Sequence, residues 1–327
     1  MNCPSPRYTE SRDFLITFSH GISLFTIPIN LLTSYIIFFH TPKSMKPMQK
    51  TLLNAQIWAS ISDFAIGTLS VPYLFFPLYA GVPNGLLNYL GISAIVQTYL
   101  VSSFISQAGG VSVILVLEAQ QNWICGHNAI LRNRTVRGIV LSVNYIISFI
   151  FSIPTFLNIP DQVTTKLKFI EAHPCVTRLL LDDSVFCGID SLFIVSMCYC
   201  TCYVFFTLQG SCYLLKSSFH ILKLTKDVTL SLSTRRSQRK FFLAVSLQVI
   251  LATAFLALPV SYFVFSMATG HYDQAFLLLS AHGFFTSICM LVIYEKYRLY
   301  LKNKLLCHDC APKIPVSVNA SIQINII

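Results

Sequence analysis

Charged side chains are scarce in this chain of 327 residues: Asp, Glu, Lys and Arg make up 11% of it, against 54% hydrophobic residues. A soluble protein carries about a quarter charged residues, because its surface must be solvated. Tryptophan is rare too, with 2 residues beside 26 phenylalanines and 15 tyrosines. The composition excludes an ordinary soluble domain and indicates a helical body embedded in lipid.

Catalytic and metal-binding motifs are also missing. The 8 histidines never stand at the His-x-x-x-His or His-Glu spacing that binds zinc on a helix. No glycine-rich phosphate loop and no Gly-x-Ser-x-Gly turn is found. We therefore predict no enzyme, no metal and no cofactor. No internal repeat is visible, which argues against transporters built from duplicated halves.

Long apolar stretches predict the fold, because a helix crosses the membrane core with about 20 apolar residues. Alternating strands of the barrel type are not visible. We predict an all-α bundle of seven transmembrane helices, preceded by an extracellular segment (residues 1–13) and followed by a cytoplasmic tail (295–327). Span 1 is expected to act as its own signal anchor. The seven spans, within residues 14–294, are Phe14–Phe39, Thr51–Tyr79, Tyr89–Leu117, Gly138–Leu157, Val185–Leu215, Phe241–Ala268 and Gln274–Tyr294.

Basic residues are distributed unevenly between the two sides of this bundle. Of the 23 Lys and Arg residues, 18 lie in the loops after spans 1, 3 and 5 or after span 7. Because cytoplasmic loops carry the basic excess, we predict an extracellular N-terminus and a cytoplasmic C-terminus. The net charge of +10 then reflects a face beside the anionic lipid bilayer, and we predict no nucleic-acid partner.

Polar residues inside the spans are candidates for function, because they are costly in lipid and face the bundle interior. Asn30 and Asp63 lie at similar depth on neighbouring spans, so we expect a hydrogen bond between them, with room for an ion or water. His282 lies near the middle of span 7, where a structural hydrogen-bonding role is the favoured interpretation.

Most of the 11 cysteines lie inside the spans or on the cytoplasmic side. Cys175 and Cys187 lie at or near the outer boundary, where a disulfide between them is a hypothesis. Near the membrane, Cys307 and Cys310 are candidates for palmitoylation.

Several stretches, taken together, resemble one family of receptors. LLNAQIWASISDF (Leu52–Phe64), followed by Val71–Leu87, is similar to span 2 and the first outer loop of nematode serpentine chemoreceptors of class H, the Srh family. Arg235–Gln248, Pro259–Ser266 and Ser280–Leu291 resemble spans 6 and 7 of that family. The resemblance extends over most of the chain, and the sister classes Str and Sri are alternatives.

The resemblance implies a seven-helix G-protein-coupled receptor that detects odorants or other small environmental molecules. Its partners would be a chemical ligand and a heterotrimeric G protein, and its place the plasma membrane of sensory-neuron cilia. A ligand-gated channel subunit of the insect odorant-receptor type, with its N-terminus inside, and a seven-helix transporter are the alternatives. Residues chosen by depth as candidates for ligand binding are Tyr73, Phe76, Gln97, Tyr99, Tyr262 and Phe276.

The chain departs from the family pattern on the cytoplasmic side. The family tends to have Glu-Asn-Arg at the end of span 3, a proline at the position of Ala252, and Pro-Tyr-Arg where this chain has Lys296-Tyr297-Arg298. Here span 3 ends with Glu118, Ala119 and Gln120, so the arginine is absent. By analogy with other receptors, we expect Glu118 to bind a cation at the base of span 6. The residues assigned to this switch are Glu118, Gln120, Arg235, Arg236, Arg239, Lys240, Tyr297 and Arg298.

Overall fold

The computed structural model describes residues 11–75, 79–157, 159–172, 182, 184–188, 192–226, 232–269 and 280–306. Within these residues, helices follow one another in the order of the seven predicted spans. Short helices cover Leu86–Tyr89, Pro154–Leu157, Gln162–Ala172 and, after span 7, Glu295–Leu306. The helices of the spans are Arg12–His40 (span 1), Lys46–Phe64 (span 2), Ala94–Ser106 with Ser112–Cys125 (span 3), Arg134–Ile150 (span 4), Leu192–Lys226 (span 5), Leu232–Thr269 (span 6) and His282–Ile293 (span 7).

Spans 2 and 3 each contain a π-helical segment, Ala65–Ser70 and Gln107–Val111 respectively. Such segments are rare and are often found at functional sites. Four described stretches are long and apolar enough to cross a membrane on their own: Arg12–His40, Ala94–Asn128, Arg134–Leu157 and Phe193–Lys223.

Span 2 ends earlier than the sequence predicts. Its helix stops at Ser70 instead of continuing to Tyr79, and Val71 adopts a left-handed conformation with φ of 42°. Pro72 follows, and a residue before proline is disfavoured in a helix. The apolar residues after Ser70 therefore enter a strand, although their composition alone does not distinguish it from helix.

A small antiparallel sheet covers the end of the bundle at which span 2 stops. Its strands are β1 (Pro72–Leu74), β2 (Ala80–Pro83) and β3 (Phe186–Cys187), in that order. Tyr73 pairs with Val82. We name this end the sheet end and the opposite, Lys- and Arg-rich end the basic end. The all-α prediction holds for the bundle but misses this sheet.

Span 3 extends further toward the basic end than its apolar stretch suggests. The sequence predicts an end at Leu117, but the helix continues to Cys125. Residues such as Ala119 and Gln120 are small or polar, but they favour helix. Hydropathy therefore marks only the part of the span 3 helix that lies in lipid, and the helix itself is longer. Gly126, with φ of 51°, ends the helix.

The largest hydrophobic core lies in the basic half of the bundle. It brings together spans 1, 2, 3, 5, 6 and 7 through fully buried side chains, among them Ile36, Leu52, Ile114, Val245 and Tyr297. A second core lies under the sheet, where Leu15 of span 1 meets Tyr73, Phe75 and Val82. These two cores hold the helices together, and the helices in turn position the polar groups that are described below.

Candidate functional site

Asp63 of span 2 is buried, with 3% of its surface exposed. One carboxyl oxygen, Oδ1, accepts a hydrogen bond from the backbone N–H of Gly283 at 2.8 Å. The other, Oδ2, accepts from Nδ2 of Asn30 at 3.4 Å. The predicted contact between Asn30 and Asp63 is therefore present, and span 7 joins it.

Further hydrogen bonds extend this contact into a network across spans 1, 2 and 7. Ser287 donates to Oδ1 of Asn30 at 2.6 Å, and Nε2 of Gln56 lies 2.6 Å from the Ser287 hydroxyl oxygen. Gln56 and Asp63 are two turns apart on span 2, and Gly283 and Ser287 are one turn apart on span 7, so each pair shares a helix face. We name Asn30, Gln56, Asp63, Gly283 and Ser287 the inner polar network.

Gly283 allows spans 2 and 7 to approach closely. A Cβ atom at this position would collide with the Asp63 carboxyl group and lie 3.0 Å from the carbonyl oxygen of Ala59. Because glycine has no side chain, its backbone N–H can reach the carboxyl group.

His282 lies beside this network and lines a small internal cavity of about 40 Å³. The ring is buried, and it lies within hydrogen-bonding reach of the backbone carbonyl group of Ala252 in span 6. The hydroxyl of Ser112, on the same cavity, has no hydrogen-bond partner among the described residues. The structural hydrogen-bonding role expected of His282 stays a prediction, and the neighbouring Ala252 carbonyl group of span 6 is the described group that could accept its hydrogen bond.

Among the described side chains, the cation that binds Glu118 belongs to span 4 and not to span 6. Its side chain is fully buried, and Oε2 lies 2.7 Å from an Nη2 nitrogen of Arg137, at the start of span 4. Its other oxygen accepts a hydrogen bond from Asn122, one turn along span 3. Because the span 3 helix continues past Leu117, Glu118 lies inside the bundle. Arg137, in the first turn of span 4, is the cation that reaches it there.

Gln120 makes the contact between spans 3 and 6 that the sequence assigns to Glu118. Its side chain is fully buried, and Nε2 donates to the carbonyl oxygen of Phe242 at 3.2 Å. Two tyrosines make further contacts between elements at the basic end. Tyr294 donates to Gln248 of span 6 at 2.7 Å, and the hydroxyl of Tyr297 lies 2.8 Å from that of Thr41.

The remaining residues assigned to the switch lie apart from these contacts. Arg236, Arg239 and Lys240 are exposed on span 6. Arg235 belongs to the same helix, but its side chain is outside the described part. Arg298 donates to the carbonyl oxygen of Val292 at 3.2 Å, which caps the end of span 7.

The four candidates for ligand binding that the structure describes do not converge on one pocket. Tyr73 packs into the core under the sheet, while its neighbours Pro72 and Leu74 line a second cavity of about 40 Å³. Alternate residues of a strand face opposite sides, so Tyr73 faces the core under the sheet, and its ligand-binding role stays a prediction. Phe76 and Phe276 lie outside the described residues.

The other three candidates are held by local contacts. Gln97 is fully buried and donates to the carbonyl oxygen of Ile92 at 2.8 Å. Tyr99 donates to the carbonyl oxygen of Phe149 at 2.8 Å and thereby joins spans 3 and 4. Tyr262 packs against Phe265 on span 6. A ligand-binding role for these residues stays a prediction.

Four hydroxyl groups that the sequence does not single out meet at the sheet end. The hydroxyls of Tyr199 of span 5 and Ser102 of span 3 are 2.9 Å apart. The Tyr79 hydroxyl, just before β2, lies within hydrogen-bonding reach of the Tyr199 hydroxyl. It also lies within reach of the hydroxyl of Thr155, which follows span 4. We name Tyr79, Ser102, Thr155 and Tyr199 the hydroxyl cluster. In the sequence, each of these residues is only a polar residue within an apolar stretch. That pattern does not reveal which spans bring the four hydroxyls together.

Cys187 lies buried on β3, held by Gln162, whose side chain accepts from the Cys187 N–H and donates to its carbonyl oxygen, both at 2.9 Å. Its thiol forms no disulfide with another described cysteine, and burial raises its pKa. Cys175, Cys307 and Cys310 lie outside the described residues, so the disulfide and the palmitoylation stay predictions. Within the described residues, no group of three or more His, Cys, Asp or Glu side chains could hold a metal ion.

Comparison with known proteins agrees with the resemblance seen in the sequence. The family model described as "Serpentine type 7TM GPCR chemoreceptor Srh" matches residues 10–307. Serpentine receptor class H-72 of Caenorhabditis elegans is 25% identical over 308 residues, which cover 92% of this chain and 88% of that protein. The crystal structure of squid rhodopsin aligns with 94% of this chain and 91% of its own, with 13% identity and a TM-score of 0.48.

Proposed function

Because this chain belongs to the Srh family of serpentine seven-helix G-protein-coupled chemoreceptors, we propose that it detects small environmental molecules at its sheet end and signals to a heterotrimeric G protein at its basic end. The family consists of receptors and not of enzymes. The excess of Lys and Arg supports placing the basic end in the cytoplasm. The proposed place of action is the plasma membrane of sensory-neuron cilia.

The observation that carries the proposal is the hydrogen bond between Gln120 and the Phe242 carbonyl. It joins spans 3 and 6 at the basic end with a neutral amide, at the position where the family tends to have arginine. A neutral hydrogen bond contributes about 1 kcal/mol, less than a buried ion pair can. Such a contact can hold a resting state that a ligand of moderate affinity is able to shift.

In this mechanism, ligand binding at the sheet end favours a state in which span 6 moves away from span 3. Loss of the Gln120 contact would uncover the basic end for the G protein. Exposed Arg236, Arg239 and Lys240, next to this contact on span 6, would offer positive charge to acidic groups of the partner or to lipid headgroups.

Basal signalling of the Gln120→Ala variant tests the switch. Removing a contact worth about 1 kcal/mol should raise the active fraction, and with it ligand-independent nucleotide exchange on the G protein, about fivefold. Gln49→Ala is the matched control, because the Gln49 amide also donates to backbone carbonyls near the basic end, but those of Ile37 and Phe38 in span 1. At matched surface expression, equal basal activity in wild type and Gln120→Ala would contradict the switch.

Two measurements separate this function from the alternatives. A tag on the N-terminus should be accessible in unpermeabilised cells, whereas an inaccessible tag would contradict the orientation. Ligand responses in cells expressing the chain should disappear when heterotrimeric G proteins are blocked. A response that persists under the block would favour a ligand-gated channel.

A further inference from the structure

The cavity beside His282, with a volume of about 40 Å³, lies between spans 2, 3, 6 and 7. Among the described residues that line it there is no Asp, Glu, Lys or Arg, which argues against a bound ion. Several of the lining side chains are nevertheless polar, namely Gln56, Ser112, Gln248, His282 and Thr286. Buried cavities with polar walls hold water, whereas apolar ones stay dry.

The Ser112 hydroxyl provides one unused polar group on this cavity. Ser112 is 1% exposed, and its Oγ atom has no hydrogen-bond partner among the described residues. In a regular helix a serine hydroxyl can donate to the carbonyl group four residues earlier, but this one does not. Ser112 directly follows the π-helical segment of span 3, where its own N–H donates to the carbonyl group of Gln107. The hydroxyl group therefore remains available to a partner inside the cavity.

His282 provides a second polar group, a nitrogen that accepts a hydrogen bond. A neutral imidazole has one N–H, and the Ala252 carbonyl group of span 6 lies within reach to accept from it. The other ring nitrogen then carries a lone pair, and no described residue donates to it. Because water is both donor and acceptor, one molecule can donate to this nitrogen and bind the Ser112 hydroxyl at the same time.

The cavity has room for about two or three water molecules, since each requires at least about 10–15 Å³. We infer that it binds water that bridges Ser112 of span 3 and His282 of span 7, and that this bridge stabilises the resting state of the receptor. Through the Ala252 carbonyl group, the bridge also reaches span 6. Its role in the resting state rests on the proposed function.

The place of the cavity explains why the bridge would favour the resting state. Ser112 precedes Gln120 by about two helical turns, and Val249, which also lines the cavity, follows Phe242 by about two turns. The cavity and the Gln120 contact therefore lie along the same interface between spans 3 and 6. Movement of span 6 away from span 3 would open the cavity and separate the groups that the water joins.

Oxidation of Met290, which lines the cavity and is 2% exposed, tests whether water is bound there. A short X-ray pulse converts bound water into hydroxyl radicals, which oxidise a neighbouring methionine. Mass spectrometry then measures the product in the purified, full-length receptor in lipid nanodiscs. Met48 is the matched control, because it is 1% exposed and is not among the residues that line the cavity. Met290 should be oxidised several times faster than Met48, and equal rates would overturn the inference.

The melting temperature of Ser112→Ala tests whether the hydroxyl is bound. If water binds it, the variant should melt about 2 °C below wild type, because a hydrogen bond is lost. Removing a buried hydroxyl that has no partner should instead leave the melting temperature unchanged or raise it, and that result would overturn the inference. The matched control is Ser103→Ala, which changes a buried serine of the same span whose hydroxyl has no described partner and does not line the cavity. Its melting temperature should not fall.

Basal nucleotide exchange on the G protein tests the role of the bridge in the resting state. Exchange should rise about threefold in Ser112→Ala and stay at the wild-type level in Ser103→Ala. Equal exchange in wild type and Ser112→Ala would contradict this role. Failure of the proposed function gives a different result. Oxidation of Met290 and a lower melting temperature of Ser112→Ala, without G-protein activation by any variant, would support the water site and contradict the signalling role. Activation by a receptor whose Met290 is oxidised no faster than Met48 would support the signalling role and contradict the inference.

Discussion

Two buried carboxyl groups of this receptor, Asp63 and Glu118, are held in different ways. Asp63 is bound by neutral donors, the Asn30 amide and the Gly283 N–H. Glu118 is bound by the guanidinium group of Arg137 and the amide of Asn122. The partners of Asp63 lie 33 and 220 residues away in the chain, whereas those of Glu118 lie 4 and 19 residues away.

The difference indicates separate roles for the two groups. The inner polar network joins spans 1, 2 and 7, so a change there should affect assembly of the whole bundle. The Glu118 contacts stay within span 3 and the start of span 4, so a change there should mainly alter the basic end. Arg137 is 39% exposed, and water can solvate it when Glu118 is removed, which limits the loss of stability.

The largest expected effect comes from Gly283→Ala in the inner polar network. The added methyl group would collide with Asp63 and push span 7 away from span 2, which breaks the hydrogen bond to the Gly283 N–H. Overpacking and the lost bond together should lower the free energy of unfolding by about 2–4 kcal/mol. Thermal unfolding of the purified receptor in lipid nanodiscs measures this.

Gly21→Ala is the matched control for this substitution. A Cβ atom on Gly21 meets nothing within 4 Å, and alanine favours helix over glycine by up to about 1 kcal/mol. Gly21→Ala should therefore be neutral or stabilising. Equal melting temperatures for the two variants would show that span 7 tolerates the methyl group and that Asp63 does not depend on the close approach.

An intermediate effect is expected from the Glu118 ion pair. Glu118→Gln should raise basal nucleotide exchange on the G protein and lower the free energy of unfolding by about 1–2 kcal/mol, because Arg137 loses its carboxylate partner. Arg137→Gln should act in the same direction. The double variant should show less than the sum of the two effects, by about 1 kcal/mol, since both substitutions break one contact.

Two arginines serve as controls for the ion pair. Arg134→Gln changes an exposed arginine three residues before Arg137 and should have little effect. Arg239→Gln tests the partner on span 6 that the sequence predicts. If Arg239→Gln raised basal exchange as Glu118→Gln does while Arg137→Gln did not, the partner on span 6 would be restored.

The sequence predicts much of the inner polar network and little of the Glu118 site. Asn30 and Asp63 could be paired because hydropathy gives the depth of each span and depth limits the possible partners. The contact of the Gly283 backbone N–H could not be predicted. This N–H is available only because Gly283 lies in the first turn of the span 7 helix, where backbone N–H groups have no partner within the helix, and the sequence does not show where that helix begins. Asn122 could have been found from helical spacing, since it follows Glu118 by one turn. Arg137 depends on the path of the chain between Gly126 and Arg134, which composition does not give.

The sheet end shows a second limit of the sequence. The segment after Ser70 is apolar enough to continue span 2, so its composition does not reveal the strand. It also does not reveal that Tyr73 faces the core while its neighbours Pro72 and Leu74 line a cavity. The bundle is predictable because lipid imposes helices on long apolar stretches. Strands β1 and β2 are close together in the chain, but the sheet is completed by β3, where Phe186 pairs with the distant Gly81, and no local pattern records that pairing.

The smallest effects are expected from the two tyrosines after span 7, and they refine the comparison within the basic end. Tyr294→Phe leaves the buried Oε1 atom of Gln248 without its donor, which should lower the free energy of unfolding by about 1 kcal/mol. Tyr297→Phe should cost about half as much, because the Thr41 hydroxyl still donates to the carbonyl oxygen of Ile37. The contact of Tyr294 joins spans 6 and 7, whereas that of Tyr297 reaches the end of span 1. Basal nucleotide exchange should therefore rise in Tyr294→Phe and stay at the wild-type level in Tyr297→Phe, and the reverse order would place the switch between span 1 and the helix Glu295–Leu306 instead.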